Sequence, residues 1–241
     1  SDPGGHLDPV GPSETIQRRC LAPIIDRPTR LMTPSAQLAE GVQRLGLELP
    51  AKVQAKLLAY LALLDKWNRT YQLTSLRDTA QAVSGHLLDS LALLPYIEAD
   101  RVLDVGSGGG LPGIPLAIAS ERLQLVLLDS NSKKCAFLRQ AAIELTLPNI
   151  AVHCGRVENY QPSTGFPVIV ARAFADLTEL IRLTRHLLRD GGCWMAMKGR
   201  RPDEELAALP AEVMVQAVHR LQIPGVIGER HVLIIAGSGS P

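Results

Sequence analysis

The feature that most constrains this chain is the segment Val102-Leu103-Asp104-Val105-Gly106-Ser107-Gly108-Gly109-Gly110, an apolar run with one carboxylate that breaks into a glycine-dense turn. Such a run reads as a buried strand. The glycines read as a turn whose backbone takes positive φ or approaches a ligand too closely for a Cβ. A dinucleotide-binding turn has the spacing GxGxxG, whose last glycine lets the following helix pack with its amino end toward a pyrophosphate. Here that position is Leu111. The glycines read GxGxG behind Asp104 instead, the pattern of a turn for an adenosyl ligand that offers no phosphate. Alone, the cluster is also readable as an ordinary tight strand-to-helix turn. Asp129 sharpens it. This carboxylate closes the next apolar strand, 19 residues after Gly110, the distance of a βαβ unit, where it can accept both hydroxyls of a ribose. It can equally cap a helix opening at Ser132; the two roles are compatible because cap and strand end coincide.

The rest of the chain fits around that unit. From Thr33 the pattern is helical, with Leu38, Val42 and Leu45, then Val53, Leu57, Leu58, Leu61 and Leu64, recurring at three- and four-residue steps. His86 to Ile97 repeats it, and Pro95 marks the end. After Asp100 short apolar strands alternate with helix-length segments, the signature of a parallel sheet in an α/β fold. Strands are expected at 101–105, 123–129, 150–155, 168–173, 193–199, 213–221 and 231–236, and helices at 112–119, 132–145, 176–188 and 202–208. The expected architecture is a Rossmann-like, seven-stranded, mostly parallel sheet of the class I methyltransferase type, over 98–241. An amino-terminal helical part over 32–97 precedes it. Right-handed crossovers would put every strand's carboxyl end on one edge, and the site with them. Residues 1–31 lack periodicity and any signal-peptide plan, so they read as a disordered tail or a non-native extension, with Met32 the expected native start.

Composition excludes more than it selects. The cysteines, Cys20, Cys135, Cys154 and Cys193, form no CxxC pair and no His/Cys ligand spacing, so neither a disulfide framework nor a metal site is expected. No apolar run is long enough to span a bilayer, and a cytoplasmic protein without membrane partners fits. The net charge of +1 is silent about nucleic acid, since a neutral protein can still carry a basic strip.

Two more strand ends carry candidates. Gly155-Arg156-Val157-Glu158 could frame an adenine. Arg172 emerges from the apolar fourth strand, where an unpaired arginine would be costly to bury. It is therefore either salt-bridged structure or a ligand contact, and the sequence leaves both readings open.

With VLDVGSGGGLPGIPLAIA, DSNSKKCAFLRQ, GRVE, ARAFA and MKGR in order, and with Lys66 to Thr74 and His86 to Ser90 upstream, the chain resembles the RsmG (GidB) family of bacterial 16S rRNA guanine-N7 methyltransferases. The resemblance covers about 33–236. It departs at Gln72, where the family usually has asparagine. It implies S-adenosylmethionine as cofactor, with Gly106 and Leu111 against it, Val157 and Glu158 around the adenine, and Arg172 on the ligand. It also implies guanine 527 of 16S rRNA, or of the small ribosomal subunit, as acceptor.

With Asp104, Gly108, Gly110 and Asp129 from the motif itself, these residues make up the expected cofactor site. Guanine N7 has an exposed lone pair, so no general base is expected and alignment is the main catalytic effect. The absence of an NPPY-like tetrapeptide after the fourth strand argues against exocyclic-amine methylation. Candidates for RNA contact are Lys133, Lys134, Arg172, Lys198, Arg200 and Arg201. A monomer is the default. The competing readings are a class I methyltransferase for another RNA or a small molecule, a nicotinamide oxidoreductase, which Leu111 opposes, and an RNA-binding module without enzymatic activity.

Overall fold

The computed structural model describes residues 32–74 and 79–237; the tail expected over 1–31 lies outside the described residues. The described chain opens with α1 (Pro34–Arg44), started by Thr33, whose hydroxyl accepts the Ala36 amide at 3.2 Å. Next comes α2 (Ala51–Tyr71), which ends on Gln72 in the left-handed region, φ +50°. Asparagine tolerates that conformation better than glutamine, which gives a physical reason for the asparagine usual there in the resembling family. A third helical run begins as α3 (Thr79–Ala82), widens into a π-helical segment (Val83–Leu88) and closes as α4 (Asp89–Leu91).

The sheet follows as β1 (Arg101–Val105), β2 (Gln124–Asp129), β3 (Ile150–Cys154), β4 (Phe166–Arg172), β5 (Leu188–Lys198), β6 (Val213–Arg220) and β7 (His231–Gly237). Between them lie α5 (Gly113–Ala119), α6 (Ser132–Glu144), α7 (Leu177–Thr184) and α8 (Asp203–Ala207). The strand order is β3-β2-β1-β4-β5-β7-β6, so the chain reverses its direction of winding between β1 and β4. In an open α/β sheet, ligands bind outside the strand ends at such a point.

Side-chain parity explains why both faces are covered. Val102, Val168, Val170, Met195 and Met197 belong to one apolar core; Leu103, Val105, Ile169, Ala171, Trp194 and Ala196 belong to the other. Alternate residues of a strand point to opposite faces, so strands apolar on both parities must be sandwiched. The first core also takes in Leu38 and Val42 of α1 and Leu57, Tyr60 and Leu64 of α2. The amino-terminal helices thus share the sheet's core. Leu177, Leu180 and Ile181 of α7 close the other face.

Two expectations need correction. The carboxyl ends do not all lie on one edge, because β7 is antiparallel to both β5 and β6. A hairpin-like return reverses the last strand, so its first residue, His231, pairs with Lys198 at the functional edge. The helix expected over 176–188 stops at Thr184, a 3-10 turn spans Arg185–Leu187, and β5 reaches back to Leu188. The Gly191-Gly192 pair does not begin that strand. It lies in a register shift between β4 and β5, with Gly191 at φ +69°.

Candidate active site

β1 delivers its carboxylate to the core and its glycines to the edge. Asp104 is fully buried; Oδ2 accepts the Gly113 amide at 2.9 Å, while Oδ1 has no hydrogen-bond partner among the described residues. Burial holds its carboxyl up at about 7, against the lowering effect of the Gly113 amide and the Arg172 charge. Gly113 is small of necessity, since a Cβ there would stand 2.3 Å from Leu127 and 2.7 Å from Asp104 Oδ2. In the turn, Gly106 takes φ +69°, and a Cβ on it would meet the Phe174 ring at 2.6 Å. The Gly110 amide donates to the Ser107 carbonyl at 2.7 Å, closing the loop. Asp129, at the end of β2, accepts the Gly108 amide on Oδ2 at 2.9 Å and the Asn131 amide on Oδ1 at 2.8 Å. Asn131 itself caps α6 by accepting the Lys133 and Lys134 amides. The cap sequence therefore aims Asp129, and Asp129 fixes the glycine turn, leaving a lone pair on each oxygen.

The amino-terminal helices grip the same turn. Tyr60 of α2 is fully buried and donates its hydroxyl to the Gly109 carbonyl at 2.6 Å. Burial raises its phenol far above the usual range, so it stays a neutral donor. Tyr60→Phe leaves that carbonyl unpaired in the core, and urea unfolding should register a loss of about 1–3 kcal/mol.

Two clefts open along this edge and share Gly106 and Ala173. The smaller, about 320 Å³, is lined by Asp129, Lys134, Val157, Glu158 and Phe174. The larger, about 600 Å³, is lined by Thr74, His86, Asp89, Leu111, Arg172 and Arg230. Ala173, at φ +53°, turns the chain out of β4 where the two meet. Asp104 and Gly110 line neither cleft; they build the turn from beneath.

The wall of the larger cleft is the π-helical segment, a form that recurs at functional sites because a widened turn alters the backbone bonding pattern. Here the Gly85 carbonyl accepts from Arg172 Nη1 at 3.0 Å, and Asp89 Oδ2 meets the same nitrogen at 3.1 Å. Arg230, just before β7, stands 3.3 Å from Asp89 Oδ1. Burial raises the Asp89 pKa, and the two arginines oppose that rise. His86 Nδ1 lies 3.1 Å from the Gly85 carbonyl, which can only accept, so Nδ1 carries the proton and Nε2 accepts from the Thr74 hydroxyl at 2.8 Å. Burial and the Arg172 charge push this imidazole down to about 4.

A pH dependence follows with a definite sign. Between about pH 4 and 6.5 the unfolded chain binds a proton on His86 that the folded chain lacks, so this residue makes stability rise with pH by about 1.4 kcal/mol per unit. Asp104 works the other way, holding a proton in the folded chain from its ordinary range up to about 7. His86→Gln removes only the rising contribution. Urea titrations should show the variant losing about 1.4 kcal/mol per pH unit relative to wild type as pH climbs from about 4 to 6.5. Parallel curves would contradict a neutral, buried imidazole.

The basic candidates fall into different settings. Lys133 is exposed on α6, while Lys134 stands 3.9 Å from Asp129. Arg200 and Arg201 are exposed beyond β5, Arg201 paired with Asp203 at 2.7 Å. Lys198 lines the larger cleft, yet its ammonium donates to the Ala175 carbonyl at 3.0 Å and to Glu205 at 2.8 Å. Arg172 is both salt-bridged and cleft-lining. Sequence reasoning missed Tyr60, Asp89 and Arg230. A lone Asp on an apolar helix and an Arg opening a late strand were the available signals.

Comparison with known proteins places this geometry. A family model described as rRNA small subunit methyltransferase G, GidB, matches residues 53–233. A Ribosomal RNA small subunit methyltransferase G of Laribacter hongkongensis is 53% identical over 202 residues, 84% of this chain and 98% of that one. Its counterpart in Neisseria gonorrhoeae is 50% identical over 206 residues, 85% and 99% of the two chains. Among solved structures, the O-methyltransferase TomG of Streptomyces achromogenes, crystallised in complex with SAM, superposes with TM-score 0.54 at 16% identity, over 87% of this chain and 100% of that one. TrmN from Thermus thermophilus gives 0.51 at 23% identity, over 70% and 53%. The two structures share the fold alone, a class I methyltransferase sheet, and the sequence match over most of its length assigns this chain to the GidB family of rRNA small subunit methyltransferases G.

Proposed function

We propose that this chain transfers the methyl group of S-adenosylmethionine to N7 of guanine 527 in 16S rRNA, as a cytoplasmic monomer acting on the small ribosomal subunit or its RNA. The observation that carries the reading is the meeting of two clefts at Gly106 and Ala173, one suited to an adenosine and one open to an acceptor. The residues fit the cofactor. Asp129 keeps an acceptor lone pair on each oxygen for two ribose hydroxyls, and buried Val157 with Glu158 lines the cleft beside it. The glycine turn leaves room that a Cβ would fill. When bound, S-adenosylmethionine supplies an electrophilic methyl group on a sulfonium.

The chain's own task is then alignment. Among the described residues lining the larger cleft, Asp89 is the one carboxylate, and it is held between Arg172 and Arg230. His86 Nε2 is engaged by Thr74. Guanine N7 is a nucleophile that needs no deprotonation, so neither imidazole lining the cleft, His86 or His231, is required as a base. The arginines place donors where O6 of a guanine can be read, which leaves the N7 lone pair free for the methyl group.

The test is methyl transfer from labelled cofactor to small subunits that lack the modification, followed by mapping of the labelled nucleotide. Label at N7 of guanine 527 is expected. Label on another atom or nucleotide would replace the acceptor, and no label on RNA or subunit would remove the rRNA reading.

A further inference from the structure

A third hollow, about 490 Å³, lies beside the acceptor cleft and shares Thr74 and His86 with it. The function described so far does not use it. Its floor is one stripe of α2, Leu58, Leu61, Ala62, Asp65, Asn68 and Arg69, spaced by threes and fours so that they share a face. The stripe is graded, apolar over Leu58 to Ala62 and polar from Asp65 onward. Asn68 Oδ1 accepts the Thr74 amide at 2.8 Å, which leaves its Nδ2 donors without a partner among the described residues. Asp65 is neutralised by Arg69 at 2.8 Å, so exposed Lys66 gives the rim a positive balance.

An apolar hollow of a few hundred Å³ with a small number of converging polar groups has the general form of a small-ligand subsite. Three features narrow the occupant. Apolar walls suit the face of a flat ring, an amide donor suits the acceptors on a base edge, and a rim lysine suits a phosphate. Continuity with the acceptor cleft through two shared residues puts the hollow within reach of the strand that enters that cleft. We propose that it holds a nucleobase of the RNA strand next to the target guanine, so that α2 reads the flank while the larger cleft takes the target. The inference rests on the rRNA reading above.

Ala62 is exposed on that stripe, and Ala62→Trp fills the hollow without entering the core. Kinetics would be measured on unmodified small subunits, with S-adenosylhomocysteine calorimetry and a melting curve alongside; Ala62→Leu serves as a milder filling should the tryptophan disturb the fold. The expected result is kcat/KM for the subunit down about tenfold or more through KM, with kcat and S-adenosylhomocysteine affinity held near wild type. Unchanged kcat/KM, or an equal fall in cofactor affinity, overturns the proposal while leaving the methyltransferase reading in place. Wild-type protein inactive on the subunit takes down the rRNA reading first, and this inference with it.

Discussion

Asp129→Ala is expected to weaken S-adenosylhomocysteine binding by about two to four orders of magnitude while the protein stays folded. The carboxylate does two jobs. Its oxygens anchor the Gly108 and Asn131 amides, and each keeps a lone pair that a ribose hydroxyl can occupy. Hydrogen bonds to a charged acceptor contribute about 1.5–3 kcal/mol each, so losing two costs about 3–6 kcal/mol of binding. Loosening the glycine turn adds to that loss. Lys134 is the control, because its ammonium is 3.9 Å from the same carboxylate and its side chain is 37% exposed. An ion pair that open contributes little, and Lys134→Ala should weaken binding only severalfold. Calorimetry on both variants decides the matter. A folded Asp129→Ala protein that binds within about threefold of wild type would move the ribose contact elsewhere and undo the cofactor assignment.

The strand-turn-helix half of the site, where the cofactor is proposed to bind, was legible because it is local. Strand, glycine turn, helix and strand-end carboxylate follow one another within Val102 to Asp129, and each signal is a backbone requirement that few residue types can meet. Near-continuous apolar runs in β4 and β5 likewise mark both faces as buried from the sequence alone. The acceptor half was obscure for the opposite reason. Asp89, Arg172 and Arg230 lie on α4, on β4 and before β7, and nothing in their local sequence announces that they meet. The reversal of β7 brings Arg230 to the edge, and strand direction is not written in the composition of a strand. The π-helical widening that offers the Gly85 carbonyl to Arg172 is equally invisible to a period of three and four. Lys198 shows the converse: a basic residue at the functional edge whose charge is already matched by Glu205, through a partner that only tertiary packing supplies.

The second large effect belongs to that acceptor-side cluster. Asp89 is 3% exposed, and burial alone would drive its carboxylate toward the neutral form. Arg172 is the main compensating charge, so Arg172→Ala leaves a buried carboxylate with only Arg230, at 3.3 Å, to offset it. Breaking a buried pair from one side costs about 3–5 kcal/mol, a large share of a total stability near 5–15 kcal/mol. Urea unfolding should show that loss at pH 8. The sign at lower pH is fixed by linkage: the variant's Asp89 has a folded pKa raised still further above its unfolded value, so the folded state keeps the extra proton and the deficit shrinks as pH falls. Removing both charges separates structure from chemistry. In Arg172→Met with Asp89→Leu, no buried charge is left unpaired. Arg230, with a third of its side chain exposed, can turn to water. Most of the lost stability should return, since an apolar replacement of a buried pair is often neutral. Methyl transfer should not return, because Arg172 no longer lines the acceptor cleft and Arg230 has lost the carboxylate that held it there. A double variant that recovers both would reduce the cluster to a structural tie between α4 and β4, and the guanine-reading role would have to pass to Arg230 alone.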